Sequence, residues 1–166
     1  MKSITFGINS NASLLRIHNA LKMYFEAIKE LHILGVLKNK KDFTGQIGEW
    51  LVASIFDGET AESGIQKDWD ICADGKYFQV KSHSKARTTS AKWSKVEHNP
   101  NAKIDYLIIV VFTPEYKLET FFKIPWNNAL ENIKKEKNSH VIYWDHVSKF
   151  KIPICDLPKQ EVVKLF

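Results

Sequence analysis

A carboxylate, an amide and an ammonium group are spaced in this sequence so that one small site could use all three. Asp70 comes shortly before the Asp74–Gly75 dipeptide, and Gln79 and Lys81 follow it. Asp-Gly favours a tight hairpin turn because both residues tolerate positive φ. Side chains alternate along the second strand, so Gln79 and Lys81 share one face. Such a set can bind a hard cation and an anionic substrate together, which predicts metal-dependent phosphodiester chemistry.

A second carboxylate, Glu49, lies in a segment with the periodicity of a helix. Apolar residues recur three or four positions apart between residues 44 and 56, as they do on the buried stripe of a helix. The helical neighbours of Glu49 are small or apolar, and a carboxylate among them is unfavourable unless it has a partner or a metal. The alternative is that Glu49 lies at the edge of the stripe and reaches water.

Three segments together resemble the PD-(D/E)XK superfamily, the restriction-endonuclease-like nucleases. They are residues 48–53, which contain Glu49, residues 69–71, which contain Asp70, and residues 78–82, with Gln79 and Lys81. In that family a helical Glu precedes a strand Asp, and (E/Q)-x-K follows on the next strand. The resemblance covers about residues 43–125. One departure is Gln79, because Glu is the commoner residue there.

The resemblance implies a catalytic set of Glu49, Asp70, Gln79 and Lys81 and a bound Mg²⁺, for which Mn²⁺ could substitute. Asp70, the side-chain oxygen of Gln79 and the backbone carbonyl of Val80 would bind the ion, and Glu49 would hold a metal-bound water or a second ion. Mg²⁺ prefers oxygen ligands and keeps several waters. Lys81 would orient the attacking water and stabilise charge on the scissile phosphate.

Two neighbouring residues are alternatives to this set. Asp68 would share a strand face with Asp70, but the Trp-Asp-Ile context and the position nearer the turn favour Asp70. His83 extends the polar row of the second strand. It is expected either to contact phosphate or act as a base, or to be a partly exposed histidine without a catalytic role.

The segment from residue 82 to 98 is basic and contains a single acid, Glu97. Basic and hydroxyl side chains on a flexible segment beside a phosphodiesterase site suit phosphate contacts, and Trp93 adds a ring. The alternative is a solvated loop. The predicted DNA-binding residues are Lys85, Arg87, Lys92 and Lys95.

Composition is compatible with these expectations. The chain has 166 residues and a formal net charge of +5, which suits a single domain, residues 1–166, with a polyanionic partner. No apolar run reaches the length of a membrane span, and no signal-peptide core begins the chain. Cys72 and Cys155 are far apart and outside any zinc motif. We therefore expect a cytoplasmic protein without zinc.

The predicted architecture is α/β, with a restriction-endonuclease-like core. Its mixed central β-sheet is flanked by helices and carries the site at one edge. A long N-terminal helix over about residues 11–34 carries a heptad-like apolar stripe, which either faces the core or pairs with a second copy in a homodimer. Residues 105–112 are nearly all apolar and predict a central strand covered on both faces. A further strand over 117–124, a helix over 125–135 and a last strand over 141–144 follow, and the tail packs on or frays.

The function predicted from these features is that of a Mg²⁺-dependent endonuclease acting on double-stranded DNA. A restriction or other host-defence role is the expected setting. One alternative is a structure-specific nuclease of repair or recombination. The other is a non-catalytic DNA-binding subunit with a degenerate nuclease fold, which Gln79 favours.

Overall fold

A computed structural model describes residues 11–33, 44–61, 68–84, 89–90 and 92–166. Within these ranges, helices pack with one sheet of six strands and one of three. In chain order the α-helices and strands are α1 (Asn11–Ile33), α2 (Thr44–Ile55), β1 (Glu59–Thr60), β2 (Ile71–Ala73), β3 (Lys76–His83), β4 (Trp93–Lys95), β5 (Tyr106–Phe112), β6 (Leu118–Pro125), α3 (Trp126–Asn132), β7 (Ile133–Glu136), β8 (Ser139–Tyr143), β9 (Lys151–Ile152) and α4 (Gln160–Val163). Two 3-10 helices, Trp144–Phe150 and Ile154–Asp156, flank β9.

The six-stranded sheet has the order β1-β2-β3-β5-β6-β9. β3 and β5 run parallel, while the other neighbouring strands run antiparallel. The sheet is therefore mixed, and the predicted α/β class is confirmed. β5 is buried on both faces, because alternate residues enter two different apolar cores. The predicted central strand is thus confirmed.

The hairpin between β2 and β3 forms at the predicted turn. Asp74 and Gly75 both have positive φ, 48° and 68°, and the strands pair from Ala73 opposite Lys76 onward. Phe78 and Val80 are buried in the core that contains α2. Strand alternation therefore directs Gln79, Lys81 and His83 to the opposite face, as predicted.

α2 packs closely on β3 because Gly48 has no side chain. A Cβ placed on Gly48 would lie 1.8 Å from Ser82 Oγ and 2.8 Å from Ser82 Cβ. Leu51 and Val52 of the same helix are fully buried against the sheet. The predicted helix is confirmed, and its close approach brings Glu49, the residue after Gly48, toward the β2–β3 hairpin.

The C-terminal part differs from the prediction. The helix expected over residues 125–135 ends at Asn132, and the residues after it form β7, which pairs with β8. Lys137, with φ of 47°, reverses the chain between the two strands. The predicted helix was wrong over its last turn. An amphipathic pattern is local and does not show that the last residues of a predicted helix pair with a later strand instead, as these do with β8. The strand predicted over 141–144 exists as β8, but it lies in the second sheet, and β9 follows it.

β4 is a second correction. Residues 82–98 were expected to be a flexible segment, yet Trp93–Lys95 pairs antiparallel with β8. The three-stranded sheet, ordered β4-β8-β7, covers one face of the central sheet together with α3. The C-terminal tail packs rather than frays, since Leu118 N–H donates to the Phe166 carbonyl.

α1 is confirmed as a long helix, Asn11–Ile33. Leu14 and Phe25 pack against the core, and the Phe25 ring stacks on Tyr116 at 4.1 Å. Ile17, Leu21 and Tyr24 are half-buried and line an apolar groove of about 420 Å³ between α1 and α2. No helix in the described ranges is long and apolar enough to cross a membrane.

Candidate active site

Asp70 is fastened to β3 by two hydrogen bonds. Its backbone N–H donates to the Phe78 carbonyl at 2.8 Å, which extends the hairpin ladder by one residue. Its Oδ2 accepts the Val80 N–H at 2.7 Å. The carboxylate is therefore held against the strand that carries Gln79 and Lys81, with a second oxygen that can bind a cation.

The Val80 carbonyl is directed toward the same edge of β3. In an extended strand the N–H and C=O of one residue point to the same side, and the Val80 N–H points to Asp70. β2 begins at Ile71, so the regular pairing between β2 and β3 ends before it reaches Val80. The backbone oxygen predicted as a metal ligand therefore lies on the Asp70 side.

Gln79 holds its amide in one orientation. Its Nε2 donates to the Asp68 carbonyl at 3.2 Å, which fixes the other amide atom as the oxygen. That oxygen, Oε1, is buried and has no hydrogen-bond partner in the described part of the chain. A buried carbonyl oxygen without a partner is unfavourable by about 1–3 kcal/mol, and a bound cation would satisfy it.

Glu49, Asp70 and Lys81 lie close enough for their charges to affect one another. Burial raises the pKa of Glu49, the charge of Asp70 raises it further, and Lys81 opposes the rise. Burial also raises the pKa of Asp70, while the Val80 N–H and Lys81 act to lower it. Both carboxylates therefore lose their protons less readily than exposed ones. A divalent cation bound beside them would favour their ionised forms.

The donor set determines which cation would fit. Within the described ranges, no three His, Cys, Asp or Glu side chains converge as a metal-binding group. The candidate ligands are instead two carboxylates, the Gln79 amide oxygen and the Val80 carbonyl. All of these donors are oxygens, which suits Mg²⁺ or Mn²⁺ rather than zinc. The residues present therefore fit the predicted ion, with fewer negative charges than a three-carboxylate site.

His83 is bonded into the protein rather than free to act as a base. Its Nε2 and Ser94 Oγ are hydrogen-bonded at 2.8 Å, and its ring packs edge-on against Trp144 with centroids 5.1 Å apart. Burial, followed by the Lys81 charge, lowers the pKa of His83 to about 4. The imidazole is therefore neutral near pH 7. These contacts give it a positional role that the sequence did not predict.

The remaining predicted residues lie around this centre. The Asp68 side chain accepts a hydrogen bond from the Lys103 backbone N–H at 3.4 Å. The contact described for this carboxylate is therefore with Lys103 and not with the catalytic set. Lys92 and Lys95 are exposed on either side of Trp93. Lys85 and Arg87 lie outside the described residues.

Ser94 is the residue of this region that sequence reasoning missed. It is fully buried and also accepts a hydrogen bond from Trp144 Nε1 at 2.9 Å. The sequence does contain an indication that Ser94 is buried. It lies between Trp93 and Lys95, two residues that suit the exposed face of a strand, and alternation then turns Ser94 inward.

No protein-family model matches the chain, and no curated protein matches it.

Proposed function

We propose that this protein is a Mg²⁺-dependent endonuclease with a restriction-endonuclease-like, PD-(D/E)XK core that hydrolyses phosphodiester bonds in DNA. The observation that carries the proposal is the buried, unpartnered Oε1 of Gln79 on the strand to which Asp70 is bonded. Gln79 shares its strand face with Lys81, whose charge acts on both Glu49 and Asp70, and an amide oxygen without a partner beside such groups suits a hard cation.

The order and placement of the elements support the same proposal. Glu49 is on a helix that packs on β3, Asp70 comes immediately before β2, and Gln79 and Lys81 are on β3 within a mixed sheet. That arrangement agrees with the family pattern of a helical Glu, a strand Asp and (E/Q)-x-K on the next strand. Within the described residues, β2 pairs only with the first three residues of β3, so the ladder ends before Val80.

Each residue of the candidate site would have its own role in hydrolysis. Asp70, Gln79 and the Val80 carbonyl would hold Mg²⁺, which when bound polarises the phosphate and acidifies water. Lys81 would neutralise charge on the scissile phosphate and orient the attacking water. Glu49, with its raised pKa, is a stronger base than an exposed carboxylate and could accept a proton from that water.

Cleavage of supercoiled plasmid DNA with Mg²⁺ or Mn²⁺ tests the proposal. We expect wild-type protein to nick or linearise the plasmid in a metal-dependent manner. Asp70→Asn and Lys81→Ala should each lower the rate by at least about 100-fold, because removing a group that stabilises transition-state charge has effects of this order. Thermal unfolding of each variant establishes that the fold survives.

Asp68→Asn is the matched control, because it removes a carboxylate two residues from Asp70 that is not part of the proposed site. Its cleavage rate should stay within a few-fold of wild type. Full activity of Asp70→Asn would refute the assignment. Folded wild-type protein that binds DNA but cuts no substrate with either metal would instead support the non-catalytic DNA-binding subunit. Comparing a plain duplex with a forked one separates a restriction role from a structure-specific one.

A further inference from the structure

The three-stranded sheet has one buried face and one face that carries exposed side chains. Ser94 lies opposite Ile142, and both are fully buried against the central sheet. The neighbouring pairs point the other way: Trp93 is opposite Tyr143, and Lys95 is opposite Val141. On the third strand, Lys134 is opposite Val141. We call the surface formed by Trp93, Lys95, Lys134 and Tyr143 the outer face.

Two aromatic rings occupy the outer face next to each other. Trp93 is 39% exposed, an unusual exposure for so large an apolar side chain. Its cross-strand partner Tyr143 is half-buried, and the His146 ring lies 5.5 Å from the Tyr143 ring. Directly opposite residues on a sheet are within side-chain contact distance. Lys134 Nζ lies over the Tyr143 ring, 6.0 Å from its centroid, so Trp93 provides the exposed ring of this pair.

Lysines surround these rings. Val141, which lies between Lys95 and Lys134 on this side of the sheet, is only 3% exposed, whereas both lysines are exposed. Glu136, an acid on the same side, accepts a hydrogen bond from Tyr143 Oη at 2.9 Å. The outer face is therefore both aromatic and positively charged.

The buried side of β4 fastens this surface to the candidate active site. Ser94 Oγ bonds His83 on β3 and Trp144 after β8. His83 lies two residues from Lys81 and on the same strand face, a separation of roughly 7 Å along a strand. The outer face is therefore held in a fixed position relative to the proposed catalytic residues.

We propose that the outer face binds a single-stranded segment of nucleic acid, with an unpaired base stacked on Trp93 and the phosphates contacted by Lys95 and Lys134. An exposed ring between lysines suits an unpaired base, since stacking needs a free base face that a duplex does not offer. This deepens the proposed function by assigning it a substrate with an unpaired stretch, and it rests on that function for the role of the bound strand. The binding itself can be measured without cleavage.

Fluorescence anisotropy in EDTA, with every variant built on Asp70→Asn so that nothing is cut, tests the proposal. The probes are a labelled oligothymidylate of about 12 nucleotides, an abasic oligomer of equal length and a duplex, since single-strand sites span about 4–16 nucleotides. We expect the oligothymidylate to bind most tightly and to quench tryptophan fluorescence. Trp93→Ala should weaken its binding about ten-fold and remove the preference over the abasic oligomer, while Trp93→Phe should keep most of both.

Lys95→Gln should weaken binding of both single strands equally and lower the slope of log affinity against log salt by about 1. Lys151→Gln, on β9 at the far edge of the other sheet, is the control and should change neither. Equal affinity of Trp93→Ala and its parent for oligothymidylate would overturn the inference, as would a parent that prefers duplex. These outcomes are independent of plasmid cleavage, so the inference and the proposed function can fail separately.

Discussion

Replacing Gly48 with alanine should separate α2 from β3. The added Cβ would lie 1.8 Å from Ser82 Oγ and 2.8 Å from Ser82 Cβ, and rotation of the hydroxyl relieves only the first contact. Overpacking of this kind typically destabilises by about 1–3 kcal/mol, and a backbone-linked clash belongs at the upper end. Alanine recovers up to about 1 kcal/mol of helix propensity. We therefore expect a net loss of about 2 kcal/mol, or about 4–8 °C in Tm for a domain of this size.

Gly45 provides the matched control, because it lies in the same helix and its added Cβ would meet nothing within 4 Å. Urea unfolding of both variants should find Gly45→Ala as stable as wild type or slightly more stable. Adding Ser82→Gly to Gly48→Ala should recover much of the loss, whereas Ser82→Ala should not, because Cβ remains. Equal stability of the two alanine variants would refute the close packing that brings Glu49 to the site.

Two further predictions concern pH. Protonation of His83 in the folded state is opposed, since its pKa lies near 4 instead of 6.5, so its contribution to stability is present above pH 6.5 and is lost as the pH falls toward 4. At 1.36 kcal/mol per pKa unit this contribution is about 3 kcal/mol; His83→Gln should flatten urea midpoints between pH 6.5 and 4, and an unchanged slope would contradict the assignment. Glu49 has a raised pKa, so its contribution is present below about pH 4.5 and is lost as the pH rises. Without divalent ions, thermal unfolding should therefore find Glu49→Gln more stable than wild type at pH 7 but not at pH 4. A lower Tm of Glu49→Gln at pH 7 would contradict the burial of this carboxylate beside Asp70.

Local patterns were sufficient to predict the elements that carry the candidate site. The Asp74–Gly75 turn has one favoured geometry, so the faces of β3 followed from alternation alone. α2 and β5 have strong, distinct periodicities, and both occur where they were predicted. Within such elements, the side on which Gln79 and Lys81 lie requires no knowledge of distant contacts.

Other features depended on contacts between residues far apart in sequence. β7 and β4 are short and become strands because β8 lies between them, which no local window can show. The bond between His83 and Ser94 joins two sheets and is visible only once both exist. The amide orientation of Gln79 likewise depends on the Asp68 carbonyl, so the unpartnered oxygen could not be found from residue type.

Titration calorimetry with Mn²⁺ is the most direct test of the central claim, that these oxygens form one cation site. We expect wild-type protein and Asp68→Asn to bind the ion with similar affinity, and Asp70→Asn and Gln79→Leu to lose most of that affinity. Identical Mn²⁺ binding by wild type and Asp70→Asn, or no binding by folded wild-type protein, would contradict the account.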